Sequence, residues 1–153
     1  MSVKNRWVRL VYASLKSPEC NLAGMPELLK RARAFNHSEG ITGILCFSRD
    51  RFLQCLEGPP EAVNALYARI LRDPRHCDVM LLDYREIMDR SFGTWSMGYL
   101  FELERDDQVL RDFFARGEFD PHLLNGTAAV QFLKRLAHSP HPGRSLESPG
   151  ANL

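Results

Sequence analysis

The chain has 153 residues, of which 44% are apolar and 25% are charged, a composition typical of one globular domain with a buried core. Its 20 Lys and Arg residues nearly balance its 19 Asp and Glu residues, which argues against a polyanion-binding surface as the main function. No apolar run is long enough to span a bilayer and the N-terminal stretch lacks a signal-peptide core, so we expect a cytoplasmic protein without membrane contact.

The first predicted elements are a strand and a helix. Residues 7–14 alternate as a strand, which places Tyr12 on the same face as Leu10. Pro26 suits the first turn of the helix that follows. The apolar stripe of this helix consists of Met25, Leu28, Leu29, Ala32 and Phe35. Asn36 has two interpretations, because it either continues this stripe as a polar group or caps the end of the helix.

A hairpin follows the helix. Residues 41–47 and 52–56 are short apolar runs joined by a polar turn at 48–51, the pattern of two paired strands. Alternation places Gln54 on the same face as Phe52. An amide buried without partners costs roughly 1–3 kcal/mol. Gln54 therefore either binds something specific or bonds to nearby backbone or at a sheet edge.

A second helix begins near Pro60 and ends before Pro74. Its apolar stripe consists of Val63, Leu66, Tyr67, Ile70 and Leu71. Arg69 and Asp73 are four residues apart beside this stripe, and charges at that spacing are by default a solvated surface pair. His76 follows the helix end.

Two more strands are predicted at 79–87 and 95–101, and alternation in the second places Trp95 and Met97 on one face. The order β-α-β-β-α-β-β predicts an α+β, ferredoxin-like sheet with both helices on one face. A groove for a flat ligand lies between those helices.

The C-terminal third has a different composition. Two short amphipathic helices are predicted, one around Val109 and one at 128–137, and we expect them to cover the open face of the sheet. Residues 139–153 are rich in Pro, Gly and Ser and predict a disordered tail. Four aromatic residues here fit either a core or a self-association surface: Phe113, Phe114, Phe119 and Phe132.

The four cysteines show neither a CxxC motif nor the spacing of metal ligands. Three of them, Cys46, Cys55 and Cys77, lie within or beside apolar segments. This placement indicates reduced thiols that fill the core and agrees with a cytoplasmic location.

Five motifs, in order and in spacing, give the chain a resemblance to the BLUF family of flavin-binding blue-light sensors. They are RLVYAS, FNHSEGITGIL, FLQCLEG, RDPRH and WSMGY, and the resemblance covers about residues 8–101. The chain resembles the short members of the family that carry two C-terminal helices. The resemblance implies a flavin-binding domain at 1–103 and a helical extension at 104–138, before the tail at 139–153.

The resemblance implies roles for individual residues. Tyr12 matches the donor of an electron and a proton to the excited flavin, and Gln54 matches the amide that rearranges between Tyr12 and the ring. Asn36 matches the residue that bonds the polar edge of the ring. Trp95 and Met97 match the pair on the fifth strand that exchanges position. The positions that match further pocket residues are Ile41, Arg69, Asp73 and His76.

The resemblance also implies FAD as the cofactor, with FMN as the alternative, and a light-induced change of hydrogen bonds rather than enzymatic catalysis. The signal would pass through the fifth strand and the C-terminal helices to a partner protein. We expect a homo-oligomer and no direct binding of nucleic acid. One departure is Phe35, where many members carry Asn or His, and this removes one polar contact to the flavin.

Two other functions remain open. One is a ferredoxin-like enzyme that binds a small molecule, of the flavin reductase type. It is disfavoured because the sequence has no glycine fingerprint for a nucleotide and no pairing of a nucleophile with a base. The other is a flavin-free interaction module that uses the Phe-rich C-terminal helices.

Overall fold

A computed structural model describes residues 6–101, 103, 107–138 and 144–145. The strands are β1 (Trp7–Lys16), β2 (Thr42–Ser48), β3 (Arg51–Gly58), β4 (His76–Ile87), β5 (Gly98–Phe101) and β6 (Arg144–Ser145). The α-helices are α1 (Met25–Glu39), α2 (Pro60–Leu71), α3 (Gln108–Phe113) and α4 (Gly126–His138). Short 3-10 turns occupy Leu22–Gly24 and Pro121–Leu123.

The strands form one sheet in the order β4-β1-β3-β2-β5-β6. All neighbours are antiparallel except β2 and β5, which run parallel. The hairpin turn between β2 and β3 places Arg49 and Asp50 at positive φ, as a two-residue connection of strands with right-handed twist requires. The predicted α+β, ferredoxin-like fold is confirmed.

Each face of the sheet carries its own apolar core. On the first face, Leu10 and Leu56 pack with Val63 of α2 and Leu29 of α1. On the second face, the sheet packs against α3 and α4 in a cluster that includes Val11, Ala13, Phe114, Phe119, Phe132 and Leu133. The prediction that the C-terminal helices cover the open face is therefore confirmed.

The fifth strand is shorter than predicted. It begins at Gly98 rather than at residue 95. Side chains of Arg33, Asn36 and Glu57 bind backbone groups between residues 91 and 97 and give this segment a course other than a regular strand. Trp95 consequently packs on the second face, against the cluster of α3 and α4, while Met97 lies on the first face. The prediction that Trp95 and Met97 share a face is wrong.

The C-terminal end is described at two positions only. Arg144 and Ser145 pair antiparallel with β5, so at these positions the structure differs from the predicted disordered tail. The rest of that tail, 139–143 and 146–153, lies outside the described residues, as do residues 102 and 104–106 near the predicted domain boundary. No helix within the described ranges is long and apolar enough to cross a membrane.

All four cysteines are free thiols. The prediction that Cys46 and Cys55 fill the core is confirmed, and the same prediction for Cys77 is wrong because its position on β4 is exposed. Cys20, Cys46 and Cys55 are buried, whereas Cys77 on β4 is exposed. Burial raises the pKa of the Cys46 and Cys55 thiols well above the usual range, which keeps both protonated.

The close approach of β2 to β3 gives a testable prediction. A Cβ at Gly43 would overlap the carbonyl oxygen of Cys55. We expect Gly43→Ala to lower the free energy of unfolding by about 1–3 kcal/mol, because the two central strands would have to separate. Urea denaturation measures the difference.

The matched control is Gly24→Ala, because a Cβ at Gly24 meets no atom within 4 Å. It should change the free energy of unfolding by no more than about 0.5 kcal/mol. Equal effects of the two substitutions on the free energy of unfolding would contradict the prediction that a side chain at residue 43 forces β2 and β3 apart.

Candidate functional site

A cavity of about 740 Å³ opens on the first face of the sheet, bounded by α1 and α2. Its size is that of a pocket for a small molecule or cofactor. Seven of the predicted site residues line it: Tyr12, Asn36, Gln54, Arg69, Asp73, His76 and Met97. The predicted groove between the two helices is confirmed.

Tyr12 and Gln54 lie directly opposite each other on β1 and β3. The Tyr12 hydroxyl donates a hydrogen bond to Gln54 Oε1, and Gln54 Nε2 lies 3.5 Å from Met97 Sδ. Both side chains are buried, Tyr12 with 4% and Gln54 with 8% of its surface exposed. Because β3 lies between β1 and β2 and the partners of Gln54 are side chains, the interpretations of a sheet edge or backbone bonding are wrong.

Burial also controls the protonation of Tyr12. Loss of solvent raises the pKa of the phenol far above its ordinary value, and the nearby Tyr67 and Asp73 raise it further. The hydroxyl therefore keeps its proton throughout the neutral and mildly alkaline range, and this proton lies in the bond to Gln54.

Asn36 belongs to the apolar stripe of α1 and does not cap the helix. The helix continues to Glu39 and ends at Gly40, whose φ of 72° is the left-handed geometry of a C-terminal cap. The Asn36 side chain is buried, and its Nδ2 donates to the backbone oxygen of Ser96 at 2.8 Å. An amide has a second N–H and an oxygen, so Asn36 retains capacity to bind the edge of a ligand.

The surface pair of Arg69 with Asp73 that helical spacing predicts does not form. Since α2 ends at Leu71, Asp73 lies beyond the helix, where it accepts hydrogen bonds of 2.9 Å from the backbone and the side chain of Arg75. The Arg69 guanidinium lies 4.8 Å from the centre of the Phe35 ring. Phe35 thus holds a cation at the groove by a cation–π contact, although it cannot make a polar one.

His76 is held at both ring nitrogens. Nε2 lies 2.7 Å from the backbone oxygen of Ile70, and Nδ1 lies 2.8 Å from Ser14 Oγ. Since a carbonyl only accepts, Nε2 donates, and these two bonds fix the ring against the wall of the groove.

Two predicted site residues do not line the groove. Ile41 is buried in the core of the first face, behind the cavity wall. Trp95 lies on the second face, with its ring centre 6.2 Å from that of Phe92. Trp95 lies on this face because residue 95 precedes β5, which begins at Gly98, and strand alternation does not predict the face of a residue outside a strand.

Sequence reasoning missed several lining residues, among them Arg31 on α1 and Arg75 after α2. Arg31 follows Leu28 by three residues and precedes Phe35 by four, so its place on the same side of α1 was available from helical spacing. Arg75 lies in the RDPRH motif. The sequence prediction omits both residues, because a charged side chain on or beside a helix is by default interpreted as exposed to solvent.

The lining fits the flavin that the resemblance implies. The walls are largely apolar, with Leu28, Leu29 and Leu66 on the helices, and amide groups lie on the sheet side and at α1. This arrangement suits a flat heterocycle whose polar atoms lie along its edges. Across the described ranges, no group of three or more His, Cys, Asp or Glu side chains is placed to hold a metal ion.

Comparison with known proteins agrees with the site. A protein-family model described as BLUF, sensors of blue-light using FAD, matches residues 7–98. The blue light- and temperature-regulated antirepressor BluF of Escherichia coli (strain K12) is 34% identical over 145 residues, which cover 92% of this chain and 35% of that protein. The photoactivated adenylate cyclase subunit beta of Euglena gracilis is 34% identical over 91 residues, which cover 58% of this chain and 11% of that subunit.

The fold has a similar solved structure as well. The ground state of BlsA superposes with a TM-score of 0.77 at 33% identity, covering 94% of this chain and 97% of that one. The present chain therefore matches BlsA over nearly its whole length, whereas it spans about a third of the antirepressor and about a tenth of the cyclase subunit.

The Asp73 contact gives a prediction for the flavin-free protein. Burial opposes ionisation of this carboxyl, but the hydrogen bonds from Arg75 outweigh it and lower the pKa below the ordinary 3.8. The stabilisation is complete above about pH 4 and is lost as the pH falls through the lowered value. We expect Asp73→Asn to lower the free energy of unfolding at pH 7 by about 0.5–1.5 kcal/mol.

Urea denaturation between pH 7 and pH 3 should show the gap to the wild type narrowing below about pH 4. Asp89→Asn, at an exposed position after β4, is the control and should change the free energy of unfolding at pH 7 by no more than about 0.5 kcal/mol. A gap for Asp73→Asn that is equal at both ends of this range would contradict the role of its charge.

Proposed function

Because the chain belongs to the BLUF family of blue-light sensors that bind a flavin, we propose that it detects light through a hydrogen-bond switch between Tyr12 and Gln54. The observation that carries the proposal is the buried bond from the Tyr12 hydroxyl to Gln54 Oε1, in a groove of a size to hold the cofactor. The BLUF domain acts as a sensor, and the proposal assigns it no enzymatic reaction.

We propose FAD as the flavin. The family description names it, and Arg31, Arg69 and Arg75 give the groove cations that suit a diphosphate. Asn36 and Gln54 would bind the polar edge of the ring, and Asp73 and His76 would fix the wall on the side of α2. When bound, a flavin supplies the absorption of blue light and an excited state that accepts an electron and a proton.

Tyr12 holds the proton that this chemistry requires. Its raised pKa means that the hydroxyl does not lose the proton to water, and the hydrogen bond to Gln54 Oε1 gives the proton a path toward the amide. The aromatic neighbours Tyr67 and His76 lie with ring centres 5.7 and 6.0 Å from that of Tyr12 and restrict its orientation. Tyr12 is thus positioned as a donor.

Gln54 is suited to rearrange because its two bonds differ in strength. Oε1 accepts from a phenol, whereas Nε2 faces a thioether, which is a weak acceptor. Once the bond to Tyr12 is interrupted, the amide loses the stronger of its two protein partners, and rotation would exchange its donor and acceptor ends. A change of one or two hydrogen bonds is on the order of 1–3 kcal/mol, which shifts a two-state equilibrium about tenfold to a hundredfold.

The signal would leave through Met97 and β5. Gln54 contacts Met97, the residue before β5, and β5 packs against the second core through Leu100. We propose that the C-terminal helices then change their association with a partner protein. A homo-oligomer remains a prediction.

One alternative loses its basis in the structure. A flavin-free interaction module would use the Phe-rich helices as a sticky surface, but Phe114, Phe119 and Phe132 are buried and pack on one another, with ring centres 5.3 to 6.0 Å apart. These residues form the second core.

The switch is tested by the visible spectrum of protein purified in darkness. The wild type should be yellow and should shift its absorption to the red after blue illumination, because the rearranged amide adds a hydrogen bond to the ring. Tyr12→Phe removes the hydroxyl and Gln54→Leu removes the amide, so both should retain flavin and lose the shift.

Tyr84→Phe is the matched control for these variants, because Tyr84 is an exposed tyrosine on β4 that does not line the groove. It should keep the full shift. A colourless wild type after reconstitution, or a normal shift in Tyr12→Phe or Gln54→Leu, would contradict the proposed function.

The identity of the flavin is tested by releasing it with heat and measuring its mass. We expect FAD, because the arginines of the groove provide partners for two phosphates. Release of FMN alone from protein reconstituted with an equimolar mixture of both flavins would contradict this assignment while leaving the switch intact.

A further inference from the structure

Residues 91–97, the part of the segment between β4 and β5 that directly precedes β5 and that we call the connector, pass from one face of the sheet to the other. At the start of the connector Phe92 is buried among the residues of the second core, and Trp95 packs against the same cluster. At its end Met97 is buried on the first face and lines the groove. The connector therefore joins the groove to the core under the C-terminal helices within six residues.

The first end of the connector is fixed by a buried carboxylate. Glu57 of β3 has no exposed surface, and it accepts hydrogen bonds from the backbone N–H of Ser91 at 3.0 Å and of Phe92 at 2.8 Å. Arg9 binds the same carboxylate at 2.9 Å and also reaches Ser91 Oγ at 2.7 Å. Charge-assisted bonds in this number make the first end a fixed point.

The last three residues of the connector are held through their carbonyl oxygens. Trp95 O accepts from the backbone N–H of Gly43 at 3.0 Å, and Ser96 O accepts from Asn36 Nδ2 at 2.8 Å. Met97 O accepts from Arg33 Nε at 2.8 Å. Two of the three donors are side chains of α1, the helix that forms one wall of the groove.

Met97 is thus bound from both sides. Its sulfur faces Gln54 Nε2 at 3.5 Å, and its carbonyl oxygen binds the Arg33 guanidinium. The contact through sulfur is weak, so packing in the first core and the anchoring of the backbone largely set the position of the thioether beside the amide. The bond from a guanidinium is the stronger of the two and fixes the backbone from which the thioether extends.

We propose that Arg33 is a positioning residue for the photoresponse, which holds Met97 against Gln54 and so sets how long the rearranged amide persists. The inference rests on the proposed function. With Met97 in place, the amide must turn back past a fixed thioether in a buried site. Without the Arg33 bond, Met97 moves away more readily, the path of the amide widens, and the dark state returns faster.

The experiment measures the rate of dark recovery after a blue pulse in reconstituted holoprotein. Arg33→Met keeps the length of the side chain and removes its donors. We expect it to retain flavin and the size of the red shift, and to recover at least threefold faster than the wild type. Lys30→Met, an exposed cation on the same helix, is the control and should recover within twofold of the wild type.

A double-mutant cycle separates this role from general loosening of the fold. If Arg33 acts through Met97, Arg33→Met should change recovery by less than twofold in a Met97→Leu background, because the thioether that it positions is already absent. Arg33→Lys keeps a cation and should recover at an intermediate rate. This variant replaces Arg33→Met in the same cycle if the latter does not retain flavin.

The outcomes distinguish the two proposals. A wild-type protein without a red shift contradicts the switch between Tyr12 and Gln54. A normal wild-type shift, together with recovery of Arg33→Met within twofold of the wild type, contradicts the role of Arg33 alone. An equal acceleration by Arg33→Met in the wild-type and Met97→Leu backgrounds also contradicts it.

Discussion

The structure depends on one cross-strand contact, between a phenol and an amide that are both withdrawn from water. Each of these groups would be costly to bury alone, and each satisfies the other because β1 and β3 are paired with Tyr12 opposite Gln54. A slip of one residue would turn one of them to the other face of the sheet. Because successive residues of β1 and β3 alternate between the two apolar cores, such a slip would move apolar side chains out of both cores, and the packing on both faces excludes it.

The two cores give this contact a rigid support. A sheet covered by helices on one face only would leave Val11, Ala13 and Leu53 in contact with water, and α3 and α4 remove them from it. The central strand β3 is consequently buried along nearly all of its length. The proposed rearrangement of the Gln54 amide would have few directions in which to spread in this setting, and the connector beside it reaches both cores.

The parts of the site that sequence alone predicted are those on regular elements. Alternation placed Tyr12 and Gln54 correctly because β1 and β3 keep their period through the site. The prediction of where the fifth strand begins was wrong, because Glu57, Arg33 and Asn36 bind the backbone of residues 91–97 and determine its course. These three residues are distant from the segment in sequence. Contacts between residues distant in sequence leave no periodic pattern from which they could be predicted. The same is true of the Arg31 side chain, which lines the groove.

The distribution of thiols has a practical consequence. Cys46 and Cys55 are sealed in the sheet and kept protonated, Cys20 is buried beside the groove, and Cys77 alone is exposed. The unmodified sequence therefore offers one position for selective attachment of a maleimide dye. Since Cys77 pairs with Leu15 at the end of the strand that carries Tyr12, a fluorophore there would report on the outer margin of the sheet without any engineered cysteine.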